Sequence, residues 1–188
     1  MLNNTLNFYY DPTRQGYDTT LLKTLGGTPS INGGALRMNH ASFIAYADVF
    51  KEDLTLNIKI PAAPTAGDSR RWGNAQLNNG ALTVFDITGT VFSCICSYQG
   101  VTKAIEIPWN PLWTATAVDY TIKWNGSSSD FLINGVRPNG AHIGAVLTET
   151  FINDDSVPKV AMSTYVNNVN SDNMEIFYME DQNIQGYI

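Results

Sequence analysis

Apolar and polar residues alternate without interruption along Leu54-Thr55-Leu56-Asn57-Ile58-Lys59-Ile60. Successive side chains of an extended strand point to opposite faces, so this segment turns Leu54, Leu56, Ile58 and Ile60 inward and Thr55, Asn57 and Lys59 outward. Pro61 and Pro64 then end the strand. Tyr120-Thr121-Ile122-Lys123-Trp124 alternates in the same way. Further strands are expected at Leu6–Tyr10, Ala35–Met38, Ala81–Ile87, Val91–Tyr98, Val101–Ile107, Asp130–Ile133, Lys159–Val166, Met174–Met179 and Ile184–Ile188. Turn signals separate them, among them Asn32-Gly33-Gly34, Thr88-Gly89, Gln99-Gly100, Asn125-Gly126 and Asn134-Gly135. Many short strands with regular turns describe a sandwich or barrel. Helical spacing is nearly absent; Ala41 to Val49 is the best helix candidate. The polar stretch from Pro61 to Asn79, which carries Arg70, Arg71 and Trp72, reads as an excursion from the sheet.

A chain of 188 residues is the size of one large β-sandwich, and 44% hydrophobic residues supply its core. The expected organisation is therefore a single domain over residues 1–188. Only 15% of residues are charged, so Asn, Thr, Ser, Gln and Gly must supply the polar surface. The net charge is -6, and Arg70-Arg71 is the one adjacent basic pair. Duplex nucleic acid and anionic membrane surfaces both demand clustered cations, so neither is an expected partner. No stretch reaches the ~20 apolar residues of a membrane span, and no membrane insertion is expected. The residues from Met1 to Thr5 carry no export signal. Cys94 and Cys96 lie two apart on one strand, where an extended backbone resists a disulfide, and are expected to be buried thiols.

Tyr120-x-Ile122-x-Trp124, a short polar turn, and Phe131-Leu132-Ile133-Asn134-Gly135-Val136 together resemble a strand pair of concanavalin A-like domains, including laminin G-like modules and jelly-roll β-glucanases. Gly33-Gly34-Ala35-Leu36-Arg37-Met38 resembles their early strand, and Val157-Pro158 with the strand after it a late one. The resemblance implies an all-β fold: an antiparallel two-sheet jelly roll, with Met174–Met179 returning beside the N-terminal strand. The fold hosts lectins, hydrolases, lyases and adhesion modules, so function must come from the site.

Jelly-roll β-glucanases carry a Glu-x-Asp-x-x-Glu strand, because glycoside cleavage needs two carboxylates at a set separation. That motif is absent here. Asp86 and Glu106 each stand on a strand with no carboxylate two or four residues away, and Asp48, Glu52 and Asp53 fall on an expected loop. No catalytic residues are therefore assigned, although partners distant in sequence can converge. Trp109 and Trp113, in the proline-bracketed Ile107-Pro108-Trp109-Asn110-Pro111-Leu112-Trp113, are candidates for stacking on sugar rings, with Trp72, Arg70 and Arg71 in the other aromatic segment. Capping the ends of the core is the competing role for these tryptophans. Asp154, Asp155 and Asp172 sit in oxygen-rich runs suited to calcium, though ordinary turn chemistry also accounts for them, and no other cofactor is expected.

These features point first to a non-catalytic structural or attachment module of an extracellular assembly. A virus or phage particle is its expected setting, with other protein chains or further copies of itself as partners. A chain without an export signal, with thiols suited to a reducing compartment and an Asn-rich surface, motivates that reading. A secreted carbohydrate-binding module is the first alternative, with glycans as partners. A polysaccharide-degrading enzyme is the second.

Overall fold

The computed structural model describes residues 6–19, 22–27, 29–38, 42–45, 53–75, 82–98, 101–124, 129–139, 141–143, 159–166 and 174–182. In chain order the strands are β1 (Leu6–Tyr10), β2 (Leu22–Gly26), β3 (Ser30–Asn32), β4 (Ala35–Met38), β5 (Ser42–Ala45), β6 (Asp53–Lys59), β7 (Asp68–Ala75) and β8 (Leu82–Thr88). They continue as β9 (Val91–Tyr98), β10 (Val101–Ile107), β11 (Val118–Trp124), β12 (Ser129–Ile133), β13 (Ala141–Ile143), β14 (Lys159–Val166) and β15 (Met174–Gln182). Helical structure among the described residues is one α-turn at Pro12–Gln15 and one 3-10 turn at Pro111–Thr114.

The strands form two antiparallel sheets. The larger runs β13-β10-β9-β8-β7-β14-β5-β2. The smaller runs β12-β11-β6-β15-β4-β3, and β1 also pairs with β15. Strand β15 gives one edge to β6 and divides the other between β4, opposite Met174 to Ile176, and β1, opposite Met179 to Gln182. The last described strand thus returns beside the first, as the resemblance implies.

The alternation sets which side chains enter the core. Leu54, Leu56, Ile58, Tyr120, Ile122 and Phe131 are all buried. The side chain of Trp124, expected there too, lies outside the described residues. From the larger sheet, Trp72, Phe85, Ile87, Phe92, Cys94 and Cys96 face them. Trp72 stacks against both Phe85 and Phe92, at centroid distances of 5.7 and 5.8 Å, and meets the edge of Tyr120 at 5.0 Å. Such geometry suits the aromatic quadrupole and adds to the area buried. Cys94 and Cys96 form no disulfide, and burial pushes the Cys94 thiol well above its ordinary pKa.

Three expectations need correction or fall outside the description. Ala41 to Val49 does not begin as a helix: Ser42–Ala45 is strand β5, held between β14 and β2. The stretch from Pro61 to Asn79 is no excursion, because its second half is β7, an inner strand between β14 and β8. Ile184–Ile188 lies outside the described residues.

Strand β7 hides its nature behind Gly73. This residue has φ +140°, a backbone state other residues rarely adopt. A Cβ there would stand 2.5 Å from the Thr83 carbonyl oxygen and 2.8 Å from Ile122 Cδ1 of the facing sheet. The bare glycine lets the two sheets close around Trp72.

Candidate functional site

The register of the larger sheet carries the site. Glu106 on β10 is paired with Ser93 on β9, and Ser93 with Asp86 on β8. Asp86 is paired in turn with Arg71 on β7. Directly paired residues share a face, so these four side chains form one row across the sheet. Their neighbours along the strands, Ile107, Phe92, Ile87 and Trp72, belong to the core. The row therefore stands on the outer face.

Asp86 and Glu106 are separated by a single intervening strand, which sets their Cα atoms roughly 10 Å apart. They are twenty residues apart in sequence yet share a row because β8 pairs antiparallel with β9 and β9 with β10. The floor of the row is buried: Asp86 is 3% exposed and Ser93 6%. Arg71 and Glu106 are partly accessible on either side of it. Asp86 Oδ1 accepts the Arg71 Nε–H at 2.7 Å and Oδ2 accepts the Thr88 hydroxyl at 2.8 Å. Asp86 is thus a fixed acceptor, aimed by a guanidinium and a hydroxyl.

Beside Glu106 the sheet opens into a cleft of about 290 Å³, lined by the β8–β9 turn and the end of β10. Glu106, Thr90, Val91, Pro108 and Trp109 contribute to its walls. Trp109 is held from behind. It packs edge-on against Trp113, with centroids 5.2 Å apart, and against Phe92 at 6.2 Å. The Asn110 side chain caps the following 3-10 turn by accepting the Leu112 N–H at 3.0 Å, and the Thr114 hydroxyl donates to the Pro111 carbonyl at 2.7 Å. These contacts tie the loop to itself and to the core.

The sugar-binding candidates are therefore divided. Trp109 stands at the cleft. Trp113 is 9% exposed and belongs to the core cluster behind it. Trp72 and Arg70 are both fully buried, so no ligand from solvent reaches them. Arg70 instead pairs with buried Asp68 at 3.0 Å and donates to the Ala62 carbonyl at 3.2 Å. Asp68 also accepts the Thr65 N–H at 2.9 Å, so this network pins the approach to β7. Arg71 faces the other way and joins the outer row. The calcium candidates Asp154, Asp155 and Asp172 lie outside the described residues. Among the described residues no cluster of three His, Cys, Asp or Glu side chains is placed to hold a metal.

No family model matches the sequence, and no curated protein matches it. Solved structures do match in fold. The β-glucanase of Bacillus licheniformis superposes with a TM-score of 0.67 at 13% identity, over 93% of this chain and 97% of that one. The laminarinase catalytic domain from Thermotoga maritima gives 0.68 at 9% identity, over 98% and 100%. Crh5 transglycosylase, in complex with NAG, gives 0.65 at 11%, over 97% and 87%. The fold is a concanavalin A-like jelly roll. These matches correct the expectation of a non-catalytic structural or attachment module of a virus or phage particle: the chains that superpose over nearly their full length are carbohydrate-acting enzymes. The glucanase motif itself is not restored, since Val84 stands two residues before Asp86 on the same face. Another carboxylate on the same face is Glu106, two strands away.

Proposed function

We propose that this protein acts on a β-linked glucan as a glycoside hydrolase. The observation that carries the reading is the Glu106–Ser93–Asp86 row, which sets two carboxylates on one sheet face with one strand between them. Carboxyl groups about 6.5–9.5 Å apart leave room for a water and suit single-displacement hydrolysis, whereas about 5–5.5 Å suits a covalent intermediate. A Cα spacing of roughly 10 Å across one strand favours the wider class. In this reading Glu106 donates a proton to the glycosidic oxygen as the bond from the anomeric carbon to that oxygen breaks. Asp86, aimed by Arg71 and Thr88, takes a proton from the water whose oxygen attacks the anomeric carbon from the opposite face. The sugar configuration inverts, and the two carboxyls regain their starting protonation through solvent.

A second reading is supported by one specific observation. Both oxygens of Asp86 are already engaged. A carboxylate held in that way also serves a site that binds a glucan without cutting it. Incubation with β-1,3-, β-1,4- and mixed-linkage glucans separates the two. Release of reducing ends, with inversion seen by proton NMR, supports hydrolysis. Retention on insoluble glucan without release supports binding alone. Neither release nor retention on any of the three overturns both readings.

A further inference from the structure

The row accounts for the reaction but leaves the adjoining cleft without a role. We infer that the cleft between Glu106 and Trp109 seats one sugar ring of the glucan and so sets which linkage comes to lie over Glu106. The inference rests on the glucan reading above and adds a subsite to it. At about 290 Å³ the cleft is at the lower end of the range for small-molecule sites, room for a single ring rather than several. Its walls are of two kinds. Val91, Pro108 and the half-buried Trp109 form an apolar side that suits the C–H face of a pyranose. Glu106 and the Thr90 hydroxyl form a polar side that suits its hydroxyls. A carboxylate in the wall and a net charge of -6 disfavour an anionic ligand. Val91 is 41% exposed although large and apolar, as a wall residue awaiting a partner would be. Trp113 and Phe92 brace the indole from behind, so little ordering remains to be done on binding.

Because Glu106 lines the cleft and also ends the row, a ring held there places its neighbouring linkage at the Glu106 carboxyl. Occupancy of this one subsite therefore sets the register of the chain against the carboxylate pair. The test measures binding of linear β-1,3- and β-1,4-linked glucose hexasaccharides to the whole chain by calorimetry. Trp109→Ala is expected to weaken binding about tenfold, the scale of one well-placed aromatic contact, and Trp109→Phe to retain most of it. Val91→Trp, which fills the cleft from its exposed side without touching the core, is expected to abolish binding. Circular dichroism confirms that each variant is folded, and Val91→Trp carries the test if Trp109→Ala is not. A wild-type protein that binds a hexasaccharide while Val91→Trp binds it equally well overturns the subsite but leaves the glucan reading standing. A wild-type protein that binds neither hexasaccharide overturns the subsite together with the reading beneath it.

Discussion

Two adjacent arginines show how a one-residue step on a strand divides the two faces of a sheet. Arg70 points to the core side, where Asp68 and the Ala62 carbonyl help to offset the burial of its guanidinium. Arg71 points to the outer face and is 40% exposed on its side chain. Replacing Asp68 by Ala would leave a buried guanidinium without its charge partner, at a cost of about 3–5 kcal/mol. Replacing Arg71 by Ala is expected to cost about 1–3 kcal/mol, since Asp86 keeps its Thr88 hydrogen bond. Urea denaturation of the two variants checks the order; equal losses would mean that the two faces are misassigned.

At the scale of elements, β7 holds the two sheets in register through a residue that cannot be substituted. Gly73→Ala forces a Cβ into the Thr83 carbonyl and the Ile122 side chain from a backbone state that alanine resists. Overpacking and backbone strain together are expected to cost about 2–5 kcal/mol, read as a lowered Tm. Gly89→Ala meets nothing within 4 Å and carries only the strain of its positive φ, so its loss should be smaller. Much of this architecture is legible in the sequence, because alternation and turn chemistry are local. Val91–Tyr98, Val101–Ile107 and Lys159–Val166 occur with the bounds the sequence implies. Asn134 and Gly135 both take the positive φ expected of that turn. Strand β7 was illegible for a physical reason: glycine, two arginines and an asparagine carry no alternation, and only the opposing sheet explains them. The carboxylate row was within reach but required two steps. Reflecting Asp86 through the Gly89 turn gives Ser93, and reflecting Ser93 about the Tyr98–Val101 pair gives Glu106. A search for carboxylates two or four residues apart on one strand cannot see that pair.

Among the described residues, three tyrosines have phenols that resist ionisation. Tyr10, Tyr120 and Tyr178 all have pKa values raised above their ordinary value, burial being the largest cause in each. Neighbouring Tyr17 and Asp18 add to it at Tyr10, and the Tyr178 hydroxyl also donates to Asp119 at 2.7 Å. As pH rises through about 10, the ordinary tyrosine value, the unfolded chain releases protons that the folded chain retains. The folded state then binds more protons, so its stability falls with further increase in pH. Below that point the contribution is fully present. Alkaline titration followed by phenolate absorbance should show these three groups ionising together with unfolding; smooth titration of all tyrosines in the folded protein would contradict it.

The fold itself, shared with glucanases and a transglycosylase at 13% identity or less, does not assign the chemistry, which the proposal places on the outer row. The most direct test of that row is the rate of reducing-end release from mixed-linkage β-glucan by the wild-type chain, Glu106→Gln and Asp86→Asn. Each variant keeps the shape of its side chain and removes one carboxyl. The wild-type protein is expected to turn over the glucan, and each variant to lose about 100-fold or more in kcat, the scale of a positioned acid or base. A wild-type rate that survives both substitutions, or a wild-type protein that releases no reducing ends, would contradict the account.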